Sequence, residues 1–202
     1  MSAKIRHVLA GWLTEWIVRF LVKTKISPNT LTLIGLALNI AVAWVLAKGY
    51  FLAGGLLSLF SGWFDLLDGA LARSSKRTTR FGALLDSTLD RFSEAVLFLG
   101  LLIFYSGQNK PLEVLLIYAT IVGSIMVSYV RARAEGLGLK SEVGIFTRSE
   151  RVILLALGLI LAQFWPKSLQ AVLWILAVGT NLTALQRLLH GWKQTRADKP
   201  RN

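Results

Sequence analysis

The sequence predicts an all-α integral membrane protein: six transmembrane helices preceded by an amphipathic interfacial helix. Three observations point there. Of the 202 residues 54% are hydrophobic and only 17% charged, with a mean hydropathy of +0.55, more apolar surface than a soluble domain of this size can hide. The apolar residues fall into six runs, most of them near the roughly 20 residues that a bilayer span requires. The lysines and arginines gather on alternate connections between those runs.

The predicted elements follow in order. Residues 3–22 alternate Trp12, Trp16, Ile17 and Phe20 with Arg6, His7, Glu15 and Arg19, the pattern of a helix lying in a membrane surface rather than a cleavable signal. Spans are expected over 29–48, 50–72, 81–106, 111–130, 149–165 and 168–189. Pro28, Pro111 and Pro166 stand at or just before the first turns of the first, fourth and sixth spans, where a missing N–H costs nothing. Residues 190–202 form a basic tail. No internal repeat or low-complexity tract divides the chain, so 1–202 reads as a single membrane domain.

Nineteen of the 23 basic residues lie on one set of loops and ends; Lys48, Lys110 and Lys167 lie on the other, and Arg91 falls within the third span. The positive-inside rule then puts both termini in the cytosol and the protein in the cell (inner) membrane. The net charge of +12 fits an anionic lipid surface, and no nucleic-acid partner is expected, because the basic residues share no soluble domain. The chain has no cysteine, which excludes disulfides, thiolate metal sites and cysteine nucleophiles. His7 and His190 lie at opposite ends without metal-ligand spacing.

Five of the eleven acidic residues, Asp65, Asp68, Asp86, Asp90 and Glu94, fall inside the second and third spans, where an ionisable group costs about 2.5–3.5 kcal/mol to insert and marks function by default. Asp65, Asp68, Gly69 and Ala72 share one helical stripe; Gly82, Asp86 and Asp90 share another. At 1.5 Å per residue, Asp65 lies roughly 12 Å before Arg73 and Asp90 roughly 14 Å after Phe81, so the two stripes reach similar depth. Four carboxylates at one depth repel one another unless cations lie between them, and all-oxygen donors suit Mg²⁺ or Mn²⁺, two ions if one carboxylate bridges. The small neighbours leave room for a phosphate ester, and Arg73 offers its phosphate a cation. Such acids could instead pass a cation across the membrane, although no acidic path continues outward through the remaining spans.

Written out, the segment is Asp65-x2-Asp68-Gly69-x2-Ala72-Arg73-x8-Gly82-x3-Asp86-x3-Asp90. It resembles the signature of the CDP-alcohol phosphotransferases, six-helix membrane enzymes that build phospholipids from a CDP-linked donor. The resemblance implies that Asp65, Asp68, Asp86 and Asp90 hold two divalent metals, that Asp90 is also the catalytic base, and that Gly69, Ala72, Arg73 and Gly82 bound the CDP site. Pro28-Asn29-Thr30-Leu31-Thr32-x-x-Gly35 also resembles the opening of the family's first helix, which adds Asn29 and Thr32 to the donor site. The implied reaction is attack of an acceptor hydroxyl on the lipid-linked phosphorus of CDP-diacylglycerol, releasing CMP.

Arg131, Arg133, Arg148, Arg151 and Arg187 stand at the cytosolic ends of the last three spans. Beside a metal–diphosphate site they would form a second phosphate pocket, because guanidinium groups clamp phosphate bidentately. A phosphorylated polyol acceptor is therefore expected. The stretch Tyr129-x-Arg131-Ala132-Arg133-Ala134-Glu135, with Gly144 and Arg148-x-Glu150-Arg151, is similar to prokaryotic members that use inositol 1-phosphate, a group that often carries lysine in place of Arg131. Glycerol 3-phosphate is the alternative acceptor. Glu94 is expected to pair with Arg91 or Arg131, and Glu135 and Glu150 either to orient the arginines or to stand in solvent. Many members of the family are homodimers, and Gly54, Gly55 and Gly100 could support helix contacts, the sequence not identifying the dimer face.

Overall fold

The computed structural model describes residues 27–74, 79–141, 143–144 and 146–197, with the side chains of 66, 68–70 and 72–74 outside that description. The expected interfacial helix at 3–22 lies outside the described residues, as do the side chains of Asp68, Gly69, Ala72 and Arg73. Every regular element among the described residues is helical: α1 (Pro28–Ala47), α2 (Phe51–Ser74), α3 (Arg80–Gly107), α4 (Pro111–Gly136), α5 (Arg148–Leu161) and α6 (Lys167–Ala197).

Local chemistry sets the helix ends. Ser27 caps α1, its Oγ accepting from the Thr30 N–H at 3.1 Å, and Pro28 and Pro111 occupy the first turns of α1 and α4. The turn between α1 and α2 passes through Gly49 at φ 84°, where a β-carbon would also run 2.6 Å from the Phe104 ring. The fifth helix is shorter than the expected 149–165. Its 14 residues rise about 21 Å, less than the roughly 30 Å of a hydrocarbon core.

Among the described residues three helices are long and apolar enough to cross a membrane: α1, α4 and residues 167–196 of α6. α2 carries Asp65 and Asp68, and α3 carries Asp86, Asp90, Arg91 and Glu94. A belt of exposed apolar side chains, including Trp44, Phe92, Leu115, Tyr118, Leu182 and Leu188, surrounds the bundle as lipid contact requires. The chain is a membrane protein.

Neighbouring helices close into a ring in the order α1, α2, α5, α6, α4, α3 and back to α1. The half near the α1–α2, α3–α4 and α5–α6 turns is filled by one core: Val42 and Leu46, Leu97, Phe98 and Leu101, Leu116 and Ile117, Leu155 and Leu159, and Leu169 to Ala177 of α6. Close crossings depend on glycine. A β-carbon on Gly100 would lie 2.8 Å from the Ala43 Cα, one on Gly55 2.9 Å from the Ala156 carbonyl oxygen, and one on Gly54 2.9 Å from Leu46 Cγ. These glycines, expected to support helix contacts, do so at crossings within the chain, because only a residue without Cβ lets the helices approach so closely. The other half of the ring holds a smaller cluster of Leu31, Leu67 and Leu71 and leaves a cavity.

Candidate active site

The cavity is about 500 Å³, within the range of small-molecule sites. Asp65 of α2 and Asp86, Asp90 and Glu94 of α3 line it, together with Arg148 from the start of α5 and Asn39 from α1. Its remaining wall is largely apolar: Leu59 and Trp63, Leu97, Val152 and Ile153. The ring brings Asp65 of α2 and Asp86 and Asp90 of α3 to one space, as their common depth predicts.

α1 determines where Asp65 can sit. A β-carbon on Gly35 would fall 2.8 Å from Asp65 Oδ1, so the glycine lets the carboxylate lie against the helix. One turn on, buried Asn39 donates from Nδ2 to the Gly35 carbonyl at 2.9 Å. The sequence reading passed over Asn39, and its signal was a polar residue four positions from a glycine inside an otherwise apolar run. Asn29 and Gly82 are also brought together: a β-carbon on Gly82 would lie 3.1 Å from Asn29 Oδ1 and 3.0 Å from Thr79 Oγ1. Thr32 turns its hydroxyl back onto the Pro28 carbonyl at 3.1 Å.

Arg148 is the cation at the centre. Its Nη2 donates to Asp65 Oδ2 at 2.7 Å and its Nη1 pairs with Asp90 Oδ1 at 2.9 Å, so one guanidinium bridges α2 and α3. Its Nε is buried without a hydrogen-bond partner. The position of Arg148 is fixed by the connection that precedes it. The Thr147 N–H donates to Glu150 at 2.6 Å, so Glu150 stabilises the start of α5 rather than orienting an arginine.

The other arginines of the expected phosphate pocket differ in placement. Arg151 is 1% exposed and turned inward, donating from Nε and Nη2 to both oxygens of Glu94 at 2.6 Å and from Nη1 to the Phe146 carbonyl at 2.9 Å. Glu94 is therefore paired with Arg151, not with the expected Arg91 or Arg131, because α5 lies across the cavity from α3 and presents the buried cation. Arg187 is buried and donates from Nε to the Val143 carbonyl and from Nη1 to the Val127 carbonyl, both at 2.8 Å. In this arrangement both arginines secure backbone near the site. Arg131 and Arg133 are exposed at the end of α4, and Arg131 pairs with Glu135 at 2.8 Å. Gln194 of α6 clamps the same connection in both directions, accepting from the Lys140 N–H at 3.0 Å and donating to its carbonyl at 2.6 Å.

The donor chemistry fits a hard divalent ion: three of the four expected aspartates, Asp65, Asp86 and Asp90, line one cavity from two helices, and the fourth, Asp68, stands one turn from Asp65 on α2. Among the described residues no three ligand side chains are drawn together into a formed metal cage. Arg148 instead supplies the positive charge between Asp65 and Asp90.

A ring of membrane helices with carboxylates from two of them facing a cavity beside a guanidinium defines a class, a membrane enzyme acting on phosphate esters. Comparison with known proteins narrows it. The profile of the CDP-alcohol phosphatidyltransferases matches residues 25–183, and the chain belongs to that family and is a transferase. It is 37% identical to the phosphatidylinositol phosphate synthase of Mycobacterium tuberculosis over 187 residues, covering 89% of this chain and 86% of that one. It is also 37% identical to the archaetidylinositol phosphate synthase of Methanothermobacter thermautotrophicus over 173 residues, 85% and 86% of the two chains. The crystal structure of the mycobacterial enzyme with CDP-DAG bound superposes with a TM-score of 0.83 at 36% identity, over 89% of this chain and 93% of that one. The same enzyme has been solved with manganese and citrate, again at a TM-score of 0.83, with 89% and 88% covered.

Proposed function

We propose that the protein transfers a phosphatidyl group from CDP-diacylglycerol to a hydroxyl of a phosphorylated polyol, inositol 1-phosphate in preference to glycerol 3-phosphate. The observation that carries this reading is the convergence of Asp65, Asp86, Asp90 and Arg148 on one cavity whose remaining wall is apolar. Such a cavity suits a ligand that is ionic at one end and lipid at the other. The M. tuberculosis and M. thermautotrophicus relatives, both named for inositol phosphate products, support the choice of acceptor. The packed apolar core beyond the cavity argues against a cation path across the bilayer.

Asp65, Asp68, Asp86 and Asp90 would hold two divalent ions, Mg²⁺ or Mn²⁺, whose charge when bound neutralises the diphosphate and eases departure of CMP. Asp90 accepts the proton of the attacking hydroxyl on its carboxylate. As the new P–O bond forms, the bond to the CMP oxygen breaks and its electron pair leaves with CMP. Asn29 and Gly82, with Gly69, Ala72 and Arg73, bound the nucleotide, and Thr32 holds the first turn of α1 in shape beside them. Arg148, with Arg131 and Arg133, faces the acceptor phosphate, while Arg151 and Arg187 support that surface from behind. The seam between α2 and α5, where a β-carbon on Gly62 would stand 3.7 Å from Val152 and Ile153 is 44% exposed, admits the acyl chains from the side.

In the cell the fold would sit as six spans with residues 3–22 flat on the inner leaflet, both termini and the site cytosolic, and two copies associated as a homodimer. The test of function is CMP release by purified protein from CDP-diacylglycerol with Mg²⁺, comparing inositol 1-phosphate, glycerol 3-phosphate, free inositol and serine. Turnover with inositol 1-phosphate above the other three supports the reading. Preference for glycerol 3-phosphate overturns the acceptor, and silence with all four overturns the donor.

A further inference from the structure

We infer that one face of α6 is the seat that sets the position of Arg148: Gly179, Thr183, Arg187 and Gln194 hold the connection between α4 and α5 lengthwise, and Gly179 and Gln194 are positioning residues for the acceptor half of the reaction. The inference rests on the reading of Arg148 as an arginine that meets the acceptor phosphate.

The four residues fall at i, i+4, i+8 and i+15, on one face of the helix. They meet the connection in reverse chain order. Gln194 holds Lys140 through both its N–H and its carbonyl, and Arg187 donates from Nε to the Val143 carbonyl at 2.8 Å. Gly144 has a φ of 115°, a conformation that favours glycine, and a β-carbon there would lie 2.5 Å from Thr183 Cγ2. A β-carbon on Gly179 would lie 2.5 Å from Phe146 Cε2 and 2.9 Å from two further atoms of that ring, so the ring rests on bare helix backbone. The stripe rises roughly 22 Å between Gly179 and Gln194, and the six steps from Lys140 to Phe146 reach about 20 Å when extended. The connection therefore runs along α6 instead of looping away from it.

Phe146 stands two residues before Arg148. Its ring is fixed by α6 and its carbonyl by α5, where Arg151 Nη1 donates to it at 2.9 Å. The far end of α5 is fastened to the same helix: Ser168 Oγ donates to the Gly158 carbonyl at 3.1 Å, and a β-carbon on Gly158 would lie 2.9 Å from Val172 Cβ. A helix of 14 residues held at both ends cannot absorb a shift at one of them by sliding, so a displacement of Phe146 is passed to Arg148. Ordinary contact between carbons is about 3.5–4.0 Å, so a methyl on residue 179 moves the ring by about 1 Å. A misplacement of that size, even far from the chemistry, costs an enzyme up to about 100-fold.

The chain has no cysteine, so a pair of nitroxide labels on the purified protein in detergent reports geometry directly. With labels at Thr88→Cys on α3 and Ser149→Cys on α5, Gly179→Ala is expected to shift or broaden the distance between them. Without labels, it is expected to raise the KM for the phosphorylated acceptor about tenfold while the KM for CDP-diacylglycerol stays near wild type. Gly179→Ala/Phe146→Leu makes room for the methyl and is expected to restore both readouts. Gly158→Ala crowds Val172 at the far end of α5 and is expected to lower the melting temperature at unchanged acceptor KM. Gln194→Ala frees Lys140 alone and is expected to move both readouts in the same direction by less; it carries the test should Gly179→Ala not fold. Unchanged label distance and acceptor KM in the Gly179 and Gln194 variants overturn the inference, as does an equal rise in acceptor KM in Gly158→Ala. A wild-type protein silent with both inositol 1-phosphate and glycerol 3-phosphate overturns the functional reading, and the label distance then decides alone whether α6 seats Arg148.

Discussion

Arg151→Met tests whether the buried arginine is a structural cation or a phosphate ligand. Arg151 is 1% exposed, pairs with both oxygens of Glu94 at 2.6 Å and donates to the Phe146 carbonyl at 2.9 Å. Removing the cation leaves Glu94, itself 4% exposed, without its hydrogen-bonded partner, and stranding one member of a buried pair costs about 3–5 kcal/mol. The freed Phe146 carbonyl adds about 1 kcal/mol. Arg151→Met should therefore lose about 4–6 kcal/mol by these two terms, read as unfolding of the detergent-solubilised protein on titration with denaturing detergent. The double variant Glu94→Leu/Arg151→Met removes both charges and should regain most of the loss, a coupling of about 3 kcal/mol in a double-mutant cycle. A single variant within about 1 kcal/mol of wild type, with an additive double variant, would refute the argument. A raised KM for the acceptor at unchanged stability would make Arg151 a ligand instead.

Three further outcomes are expected. Asp90→Asn keeps the size of the side chain but loses the base, so CMP release should fall to background while CDP-diacylglycerol still binds, as a direct donor-binding measurement would show. Gly35→Ala places a methyl 2.8 Å from Asp65 Oδ1, and the shifted carboxylate should lower kcat about 10- to 100-fold with little change in melting temperature; a kcat near wild type would separate Asp65 from the chemistry. Gly100→Ala drives a methyl into the Ala43 backbone and should cost about 1–3 kcal/mol of stability. If it instead leaves melting unchanged and alters the oligomeric state, the crossing of α1 and α3 is misassigned.

How much of the site was legible beforehand differs residue by residue. Asp65, Asp86 and Asp90 do line one cavity, because their spacing along two helices is a matter of local periodicity and their depth of counting residues from a boundary. The partners of those acids were not legible. Arg148 reaches Asp65 from 83 residues away and Arg151 reaches Glu94 from 57 residues away, and no periodicity in the sequence links them. For Glu94 the sequence offered Arg91 and Arg131, one near it in the chain and one in the neighbouring helix α4, while the ring order put α5 across the cavity instead. The fifth span was overestimated for a related reason: Ala162, Phe164 and Trp165 continue the apolar composition past Leu161, but the backbone turns there, and composition does not report a turn.

The sequence by itself determined where the helices run, since a hydrocarbon solvent requires each segment to satisfy its own backbone and leaves helices as the local solution. It also marked the residues proposed to carry the chemistry, since charge in an apolar run is visible without a fold. Only the tertiary structure decided which arginine answers which carboxylate and which glycines bury crossings within the chain. Those outcomes depend on how far each helix is rotated about its own axis, and that rotation is set by close contacts such as Gly35 with Asp65 and Gly100 with Ala43 between helices distant in sequence.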